Sequence, residues 1–260
     1  MFHTLTAGSN YHLLSIDYRG FGKSTGFPTE DGLITDASAL IDFTIHTAGV
    51  SPDRIVLLGQ SLGTAVVAAV TERFAQKGVD FAGVVLVAGF SSLPTMLAGY
   101  SIAGWIPVLR PLAVWPAALR WFMSLVADTW KTADRVALTT RVVKARAGHL
   151  RLSLVHAADD WDIPCHEDDK IFAAAISGLH GDLDPQQLAE MKDARTVGRG
   201  KNAFVTQWVD GGITVKQELF PYGGRSKRSD KNTIPVDEIP RPQRHHEACS
   251  GSLSRDAILW

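Results

Sequence analysis

Short apolar runs alternate with longer segments of helical spacing along most of the chain. Runs of strand character cover residues 11–17, 54–58, 83–88, 150–156 and, more weakly, 214–220. Helical spacing of apolar positions covers residues 36–47, 62–76 and 170–177. The middle strand runs are almost continuously apolar, which is typical of strands covered by helices on both faces. The pattern therefore predicts an α/β fold with a mostly parallel sheet.

Composition and charge narrow the class of protein. The chain has 260 residues, 45% of them hydrophobic, which is enough for one α/β domain with a sizeable core. The 26 Lys and Arg residues balance 27 Asp and Glu residues, and a net charge of -1 gives no overall field to hold nucleic acid. Cys165 and Cys249 allow one disulfide at most, which excludes a disulfide-stapled scaffold. The segment before Tyr11 lacks the pattern of a signal peptide, so we expect it to direct no secretion.

Two segments carry the Gly-x-Ser-x-Gly pattern of a nucleophile elbow, one around Ser24 and one around Ser61. An elbow needs a strand that enters the turn and a helix that leaves it. RIVLL precedes the Ser61 segment and LGTAVVAAVTERF follows the serine, whereas a Gly-Phe-Pro sequence follows Ser24. We therefore interpret Ser24 as a turn residue and Ser61 as the candidate nucleophile. Gly59 and Gly63 are expected where the turn leaves no room for side chains.

Four motifs in this order resemble landmarks of the α/β-hydrolase superfamily: SIDYRGFGKSTG, GQSLGTAVVAAV, VVLVAGFSS and LVHAADDWDIP. The resemblance covers residues 11–224 and is strongest to the membrane-associated monoacylglycerol and lysophospholipid lipases of the α/β-hydrolase-domain group. It implies a serine hydrolase that cleaves a small lipid ester, a monoacylglycerol or lysophospholipid, through an acyl-enzyme, with no metal or cofactor. Ser61 would attack the ester, and the Leu62 N–H would hold the oxyanion. Membrane association, at the endoplasmic reticulum or elsewhere, is also implied.

The resemblance assigns the acid of the triad to Asp160, four residues before Pro164. Asp159 and Asp162 remain alternatives, because both lie in the same loop. His156 precedes the acid at the end of a strand and is interpreted as a packed strand residue.

The general base is left unassigned. After the last strand the family pattern is Gly-Gly-His, but this chain reads Gly-Gly-Arg, and Arg225 cannot act as a base because it stays protonated. His166 and His180 are interpreted as structural or solvent-facing. His245 and His246 remain as candidates in the polar stretch that follows.

In the family, three strands and the loop with the second oxyanion donor precede the strand that corresponds to Tyr11–Asp17. Only ten residues precede Tyr11 here, so the resemblance implies that these strands are missing. The third of these strands lies between the strands 11–17 and 54–58 in the family's sheet. Without it we expect an open slot with unpaired backbone groups, unless another segment fills the slot. The missing strands and the missing histidine favour a fragment or mis-spliced form of a larger lipase.

Two further segments complete the predicted organisation. Residues 93–140 lie where the superfamily inserts a helical cap, and residues 93–127 are apolar and broken by prolines. We expect a lid that contacts acyl chains and touches a membrane peripherally; a helix pair buried on the sheet is the alternative.

Residues 225–260 are polar without periodicity and are expected to form a disordered tail. The alternative to an enzyme is a non-catalytic module that binds an apolar ligand or a protein partner.

Overall fold

The computed structural model describes residues 11–99, 101–102, 106–107, 128–181, 183–223 and 256–259. Its main sheet has eight described strands in the order β1-β10-β2-β3-β6-β9-β8-β7. Their bounds are β1 Tyr11–Leu14, β2 Ile55–Gln60, β3 Gly83–Val87, β6 Leu150–Ala157, β7 Thr196–Gly198, β8 Phe204–Asp210, β9 Ile213–Phe220 and β10 Asp256–Leu259. Two short strands, β4 Ser101–Ile102 and β5 Ile106–Pro107, pair separately as an antiparallel hairpin.

The helices alternate with these strands. They are α1 Glu30–Asp42, α2 Leu62–Gln76, α3 Leu93–Gly99, α4 Thr132–Ala145, α5 His166–His180 and α6 Pro185–Asp193. A π-helical turn, Phe43–Thr47, continues α1, and a 3-10 turn, Pro52–Arg54, precedes β2. The α/β fold with a mostly parallel sheet is therefore confirmed.

Local sequence explains where α1 and α2 begin. The Thr29 side chain caps α1 by accepting a hydrogen bond of 3.1 Å from the Gly32 N–H, and Glu30 and Asp31 favour the positive end of the helix. In α2 the small residues Ala65, Ala68, Ala69 and Ala75, with Val66 and Val70, are all buried. Small buried residues let a helix approach the sheet closely.

The central strands are buried on both faces, as the continuous apolar runs predict. Along β2, Ile55 and Leu57 join the large core formed with α2, α4 and α5, while Val56 and Leu58 join a smaller cluster on the opposite face. Side chains alternate between the faces of a strand, so a strand without polar positions needs cover on both sides.

The slot expected beside the first strand is filled by the chain's own β10. This strand runs parallel to both neighbours, with Tyr11 opposite Asp256 and Ile55 opposite Ala257. The expectation of a disordered tail therefore does not hold for residues 256–259. The rest of the predicted tail, residues 225–255, lies outside the described residues.

The opposite edge of the sheet differs from a purely parallel arrangement. β7, β8 and β9 form an antiparallel meander, and only β9 pairs in parallel with β6. β8 is not among the predicted strands, although its buried and exposed positions alternate at Thr206, Gln207, Trp208 and Val209. That alternation is the signal of a strand with one covered face.

The predicted cap at residues 93–140 is described only in part. Residues 93–99 form α3, whereas residues 132–140 belong to α4, which packs against α2 and α5. The last part of the predicted cap is therefore a helix of the layer that covers the sheet. Within the described ranges, no helix combines the length and apolar character needed to cross a bilayer.

Arg135 joins three helices on one side of the sheet. Its guanidinium nitrogens lie 3.0 Å from Glu72 Oε2 on α2 and 3.1 Å from Glu30 Oε1 on α1. Glu30 also accepts a hydrogen bond of 2.9 Å from the Trp130 N–H. All three charged side chains are largely shielded from solvent, so removing the arginine leaves two poorly solvated carboxylates close together.

We expect Arg135→Met to lower the free energy of unfolding by about 2 kcal/mol, because it leaves both carboxylates without their cation. Urea denaturation measures this loss. Lys131→Met is the matched control, since the Lys131–Asp134 pair is 3.9 Å apart and exposed. It should change the free energy by no more than about 0.5 kcal/mol. Equal losses in the two variants would contradict the prediction.

Candidate active site

Ser61 occupies the sharp turn between β2 and α2. Its backbone has φ 54° and ψ -122°, and its side chain is exposed. A serine rarely adopts positive φ, and such a conformation costs about 1–3 kcal/mol, which the surrounding structure must supply. The Ser61 N–H donates a 3.0 Å hydrogen bond to the Val87 carbonyl, which ties the turn to the end of β3.

Gly59 and Gly63 of this turn differ in whether a side chain would fit at their position. A Cβ on Gly59 would lie 2.4 Å from the Gly63 carbonyl oxygen, so the prediction of no room is confirmed there. A Cβ on Gly63 would meet nothing within 4 Å among the described residues, so the prediction is wrong for Gly63. The close approach runs from the Gly59 Cα to the Gly63 backbone, and it therefore constrains Gly59 alone.

Leu62 is the first residue of α2 and is half-exposed. The first N–H groups of a helix have no intrahelical acceptor and lie at the positive end of its dipole. The Thr64 hydroxyl and N–H both donate to the Ser61 carbonyl, at 2.6 and 2.9 Å, which fixes the first turn. The site thus offers a fixed helix N-terminus directly after the candidate nucleophile.

Ser24 has a different setting. Its hydroxyl donates to the Asp17 carbonyl at 2.7 Å, and its N–H donates to the Phe21 carbonyl. These bonds close the loop after β1, and the interpretation of Ser24 as a turn residue is confirmed.

Asp160 lies in the loop after β6 with its carboxylate held in place. Oδ1 accepts hydrogen bonds from the backbone N–H groups of Asp162, at 2.9 Å, and Ile163, at 3.1 Å. The side chain is 12% exposed, and Oδ2 lies 3.8 Å from His156 Nε2. A carboxylate that accepts backbone hydrogen bonds on one oxygen keeps its other oxygen in a defined direction.

The two alternative carboxylates have other roles in the same loop. We call the loop between β6 and α5, residues 158–165, the acid loop. Asp159 Oδ1 accepts a 2.9 Å hydrogen bond from the Gly223 N–H, which joins the acid loop to the segment after β9. Asp162 is exposed. Asp160 is therefore the carboxylate whose orientation the loop itself fixes.

The carboxyl ends of four adjacent parallel strands bring these residues to one edge. Successive strand ends are linked by hydrogen bonds from Ser61 to Val87, from Ala88 to Val155 and from Ala158 to Phe220. β3 separates β2 from β6, so the candidate nucleophile and the acid loop are two strand spacings apart, about 10 Å. Ala88, with φ 51°, is a second strained residue at this edge, and no sequence pattern indicates it.

The histidines that the structure describes do not complete a triad at this edge. His180, at the end of α5, packs edge-on against Trp208 with ring centroids 5.4 Å apart and lies 3.6 Å from Asp210. Asp210 ends β8 at the edge opposite Ser61. His166 is exposed, 3.7 Å from Glu167. Residue 225, His245 and His246 lie outside the described residues.

Within the described residues, no cluster of His, Cys, Asp and Glu side chains has the arrangement of a metal site.

His156 and Asp168 form a buried pair directly behind the acid loop. His156 Nε2 lies 2.9 Å from the Ile163 carbonyl, and Nδ1 lies 3.1 Å from Asp168 Oδ1. Both side chains are 1% exposed, so the contact is a buried ion pair when the ring is protonated. The ring thereby connects the acid loop to the first turn of α5.

Glu167 makes a parallel connection to the loop after β3. Its Oε2 accepts from the Ser91 N–H at 2.8 Å and from the Ser91 hydroxyl at 2.6 Å, and Lys170 Nζ lies 2.5 Å from Oε1. Burial alone would raise the pKa of Glu167, but the hydrogen bonds from Lys170 and Ser91 outweigh burial and lower it. This carboxylate therefore stays charged and holds the loop.

Neither of the two α5 carboxylates is among the predicted site residues, because the acidic first turn of a helix is usually solvated. A signal was nevertheless present. Asp168 stands three and four residues before the buried Ile171 and Phe172, on the apolar face of α5. A carboxylate at a helical core position indicates a buried partner.

The His156–Asp168 pair couples stability to pH. Burial alone lowers the pKa of His156, but the Asp168 carboxylate outweighs burial and raises it above the usual 6.5. Burial raises the pKa of Asp168, and the imidazole offsets only part of that increase. A raised pKa in the folded state means that the stabilisation from His156 is complete below about pH 6.5 and decreases as pH rises through the folded pKa.

We expect Asp168→Asn to lower the free energy of unfolding by about 2 kcal/mol at pH 6, because the buried ring loses the carboxylate that keeps it protonated. At pH 9 the loss should be smaller, since the protonated fraction of the wild-type ring falls as pH rises through its folded pKa. Urea unfolding at both pH values tests this. His166→Gln, at an exposed ring, is the control and should change neither value. A loss of equal size at the two pH values would count against the charged pair.

Comparisons with known proteins identify the family of this chain. The model of the alpha/beta hydrolase family matches residues 1–212. Human Protein ABHD12B is 32% identical over 165 residues, which are 64% of this chain and 42% of the human protein. The Arabidopsis thaliana alpha/beta hydrolase domain-containing protein WAV2 is 32% identical over 132 residues, which are 48% of this chain and 39% of that protein.

A crystal structure of an alpha-beta hydrolase from Vibrio vulnificus aligns with 78% of this chain and 55% of its own, at 17% identity and a TM-score of 0.45. The chain spans less than half the length of the two relatives named above. The family model, in contrast, covers most of the chain, including the Ser61 turn and the acid loop. The chain belongs to the alpha/beta hydrolase family.

Proposed function

We propose that the chain is a serine hydrolase that cleaves the carboxylic ester of a lipid, a monoacylglycerol or a lysophospholipid, through an acyl-enzyme. One observation carries this proposal: an exposed serine on a strained strand-to-helix turn, two strand spacings from a loop that orients a carboxylate. The choice of lipid esters rests on the resemblance to the membrane-associated lipases and on the apolar composition of residues 93–127.

In the proposed reaction, the Ser61 Oγ attacks the carbonyl carbon of the ester while a base takes the hydroxyl proton. The Leu62 N–H stabilises the oxyanion that forms, because it lies at the positive end of α2. The C–O bond to the alcohol then breaks, and the base returns the proton to the leaving alkoxide. Water attacks the acyl-Ser61 by the same steps and releases the fatty acid.

Asp160 is proposed to orient the base. A histidine between Ser61 and the acid loop would donate one ring N–H to Asp160 Oδ2 and accept the serine proton on its other nitrogen. Gly223 lies against this loop, because its N–H donates to Asp159. A residue two positions later, at 225, is within about 7 Å of Gly223. The chain has arginine at that position, so His245 or His246 would have to supply the base.

The Gly-Gly-Arg sequence favours a second candidate function. Arginine at the position of the base supports a non-catalytic module that uses the hydrolase fold to bind an apolar ligand or a protein partner. The cap, in either function, is proposed to contact lipid and the surface of a membrane. A net charge of -1 argues against nucleic acid as a partner.

Reaction with a fluorophosphonate probe separates the two functions, because the probe labels a serine only where a base and an oxyanion donor assist the attack. We expect the full chain to be labelled and Ser61→Ala to lose all labelling. Ser24→Ala is the matched control, since it changes the serine of the other Gly-x-Ser-x-Gly segment, and it should be labelled like the wild type. A full chain that stays unlabelled while folded would support the binding module.

If His245 or His246 is the base, the double variant His245→Gln/His246→Gln loses the labelling that Ser24→Ala retains. Labelling that survives in this double variant would assign the base elsewhere.

Arg225→His tests whether the loop after Gly223 can deliver a base to the proposed site. In a chain that carries His245→Gln and His246→Gln, we expect Arg225→His to hydrolyse a short p-nitrophenyl ester about 100-fold faster than the same chain with Arg225, because a positioned general base contributes 10²–10⁴-fold. Arg225→Gln removes the charge without supplying a base and should leave the rate unchanged. Equal rates in the two variants would contradict this placement of the base. Combining Arg225→His with Ser61→Ala should abolish the gain.

A further inference from the structure

β10 occupies a central position in the sheet although it is far from its neighbours in the chain. Tyr11 to Leu14 of β1 lie opposite Asp256 to Leu259, and Ile55 to Leu57 of β2 lie opposite Ala257 to Leu259. Within the described residues, β10 is the one strand that pairs with β1. The position of β1 in the sheet therefore depends on this segment.

The two strands beside the slot define what can bind in it. Each presents a row of backbone N–H and C=O groups that need partners, and such rows accept any extended segment without a proline. Leu57 and Leu14 contribute to the core on one face, and Val56 and Leu13 to the cluster on the other. An occupant must therefore be apolar on both faces, as Ala-Ile-Leu at 257–259 is.

The covalent connection does not itself place β10 in the slot. Residues 221–255 join β9 to β10 and could extend over about 115 Å. The distance from β9 across β6, β3 and β2 to the slot is four strand spacings, about 19 Å. A connection this much longer than the distance supplies an effective concentration only in the mM range. Pairing with β1 and β2 holds the strand there.

We propose that the slot between β1 and β2 is a strand-acceptor site that binds an extended apolar segment in parallel register, and that the chain's own Asp256–Leu259 is its exchangeable occupant. Backbone hydrogen bonds supply the affinity, and the apolar requirement on both faces supplies the selectivity. A free peptide with the sequence of residues 253–260, LSRDAILW, is accordingly a ligand for any copy of this protein whose own strand is displaced.

The first test uses the full chain with Ile258→Pro, which removes a backbone donor from the middle of β10 and disfavours the strand. We expect its thermal midpoint to fall by about 10 °C. The fluorescein-labelled peptide 253–260 should bind this variant at µM concentrations, raise its midpoint and bind the wild type at least 10-fold more weakly. Leu253→Pro lies outside β10 and is the control, with wild-type behaviour expected.

Three outcomes would overturn the proposal. They are an Ile258→Pro midpoint equal to that of the wild type, equal binding of the peptide to both proteins, and equal binding of a peptide that carries proline at the position of Ile258.

A second variant covers the case in which Ile258→Pro fails to fold. His12 and Ala257 are directly opposite in the register, and His12 is exposed. Parallel neighbours have Cα atoms about 4.8 Å apart, within the range that a disulfide spans. In a chain with Cys165→Ser and Cys249→Ser, we expect His12→Cys/Ala257→Cys to form an intrachain disulfide under mild oxidation, whereas His12→Cys/Leu253→Cys should form little.

The His12→Cys/Ala257→Cys variant also tests whether the free peptide can replace β10 in the slot. At about 1 mM, near the effective concentration of the connected strand, the labelled peptide should enter the reduced protein and be excluded from the oxidised one. The proposal fails if the disulfide does not form, or if the reduced and oxidised proteins take up the same amount of peptide.

Discussion

Pairing of β2 on both sides is the constraint on which the rest of the structure depends. Ser61 has a backbone conformation that serine rarely adopts, and a strained turn persists only where its ends are held. β3 holds β2 on one side, through the strand ladder and the bond from Ser61 to Val87. β10 holds it on the other side. The geometry of the candidate nucleophile is therefore linked to a strand from the far end of the chain.

Buried polar groups fix the rest of the edge. The first turn of α5 supplies two carboxylates that point in different directions: Glu167 binds the loop after β3 through Ser91, and Asp168 faces His156 behind the acid loop. Buried carboxylates are costly unless partnered, so each one specifies a single arrangement of the loop that it holds. Asp160 is thus oriented by its own loop, and that loop is supported by His156 from beneath.

The sequence predicted what depends on local pattern and missed what depends on distant partners. The bounds of α2 and the position of the Ser61 turn follow from apolar spacing and small residues, and both are confirmed. The slot beside β1 was predicted from the family's strand order. Its occupant was not, because the three apolar residues of β10, within a polar stretch, carry no periodic signal. His156 was correctly interpreted as packed, but its partner Asp168 was hidden in an acidic turn that a solvated helix would also have.

The length of chain between a candidate histidine and the nearest fixed residue decides whether that histidine can reach Ser61. β10 provides one such fixed position, at Asp256. β10 is parallel to β2, and Asp256 lies level with the start of β2, about 20 Å from the edge that carries Ser61. His246 precedes Asp256 by ten residues, which can span about 33 Å. Gly223 fixes the other end of the connection at the carboxyl edge, against the acid loop. From either end the chain is long enough for His245 or His246 to reach Ser61, and displacing β10 would remove one of the two fixed ends. The strand-acceptor slot and the proposed chemistry therefore share a segment, since the strand that completes the sheet is also one end of the stretch that carries the candidate bases.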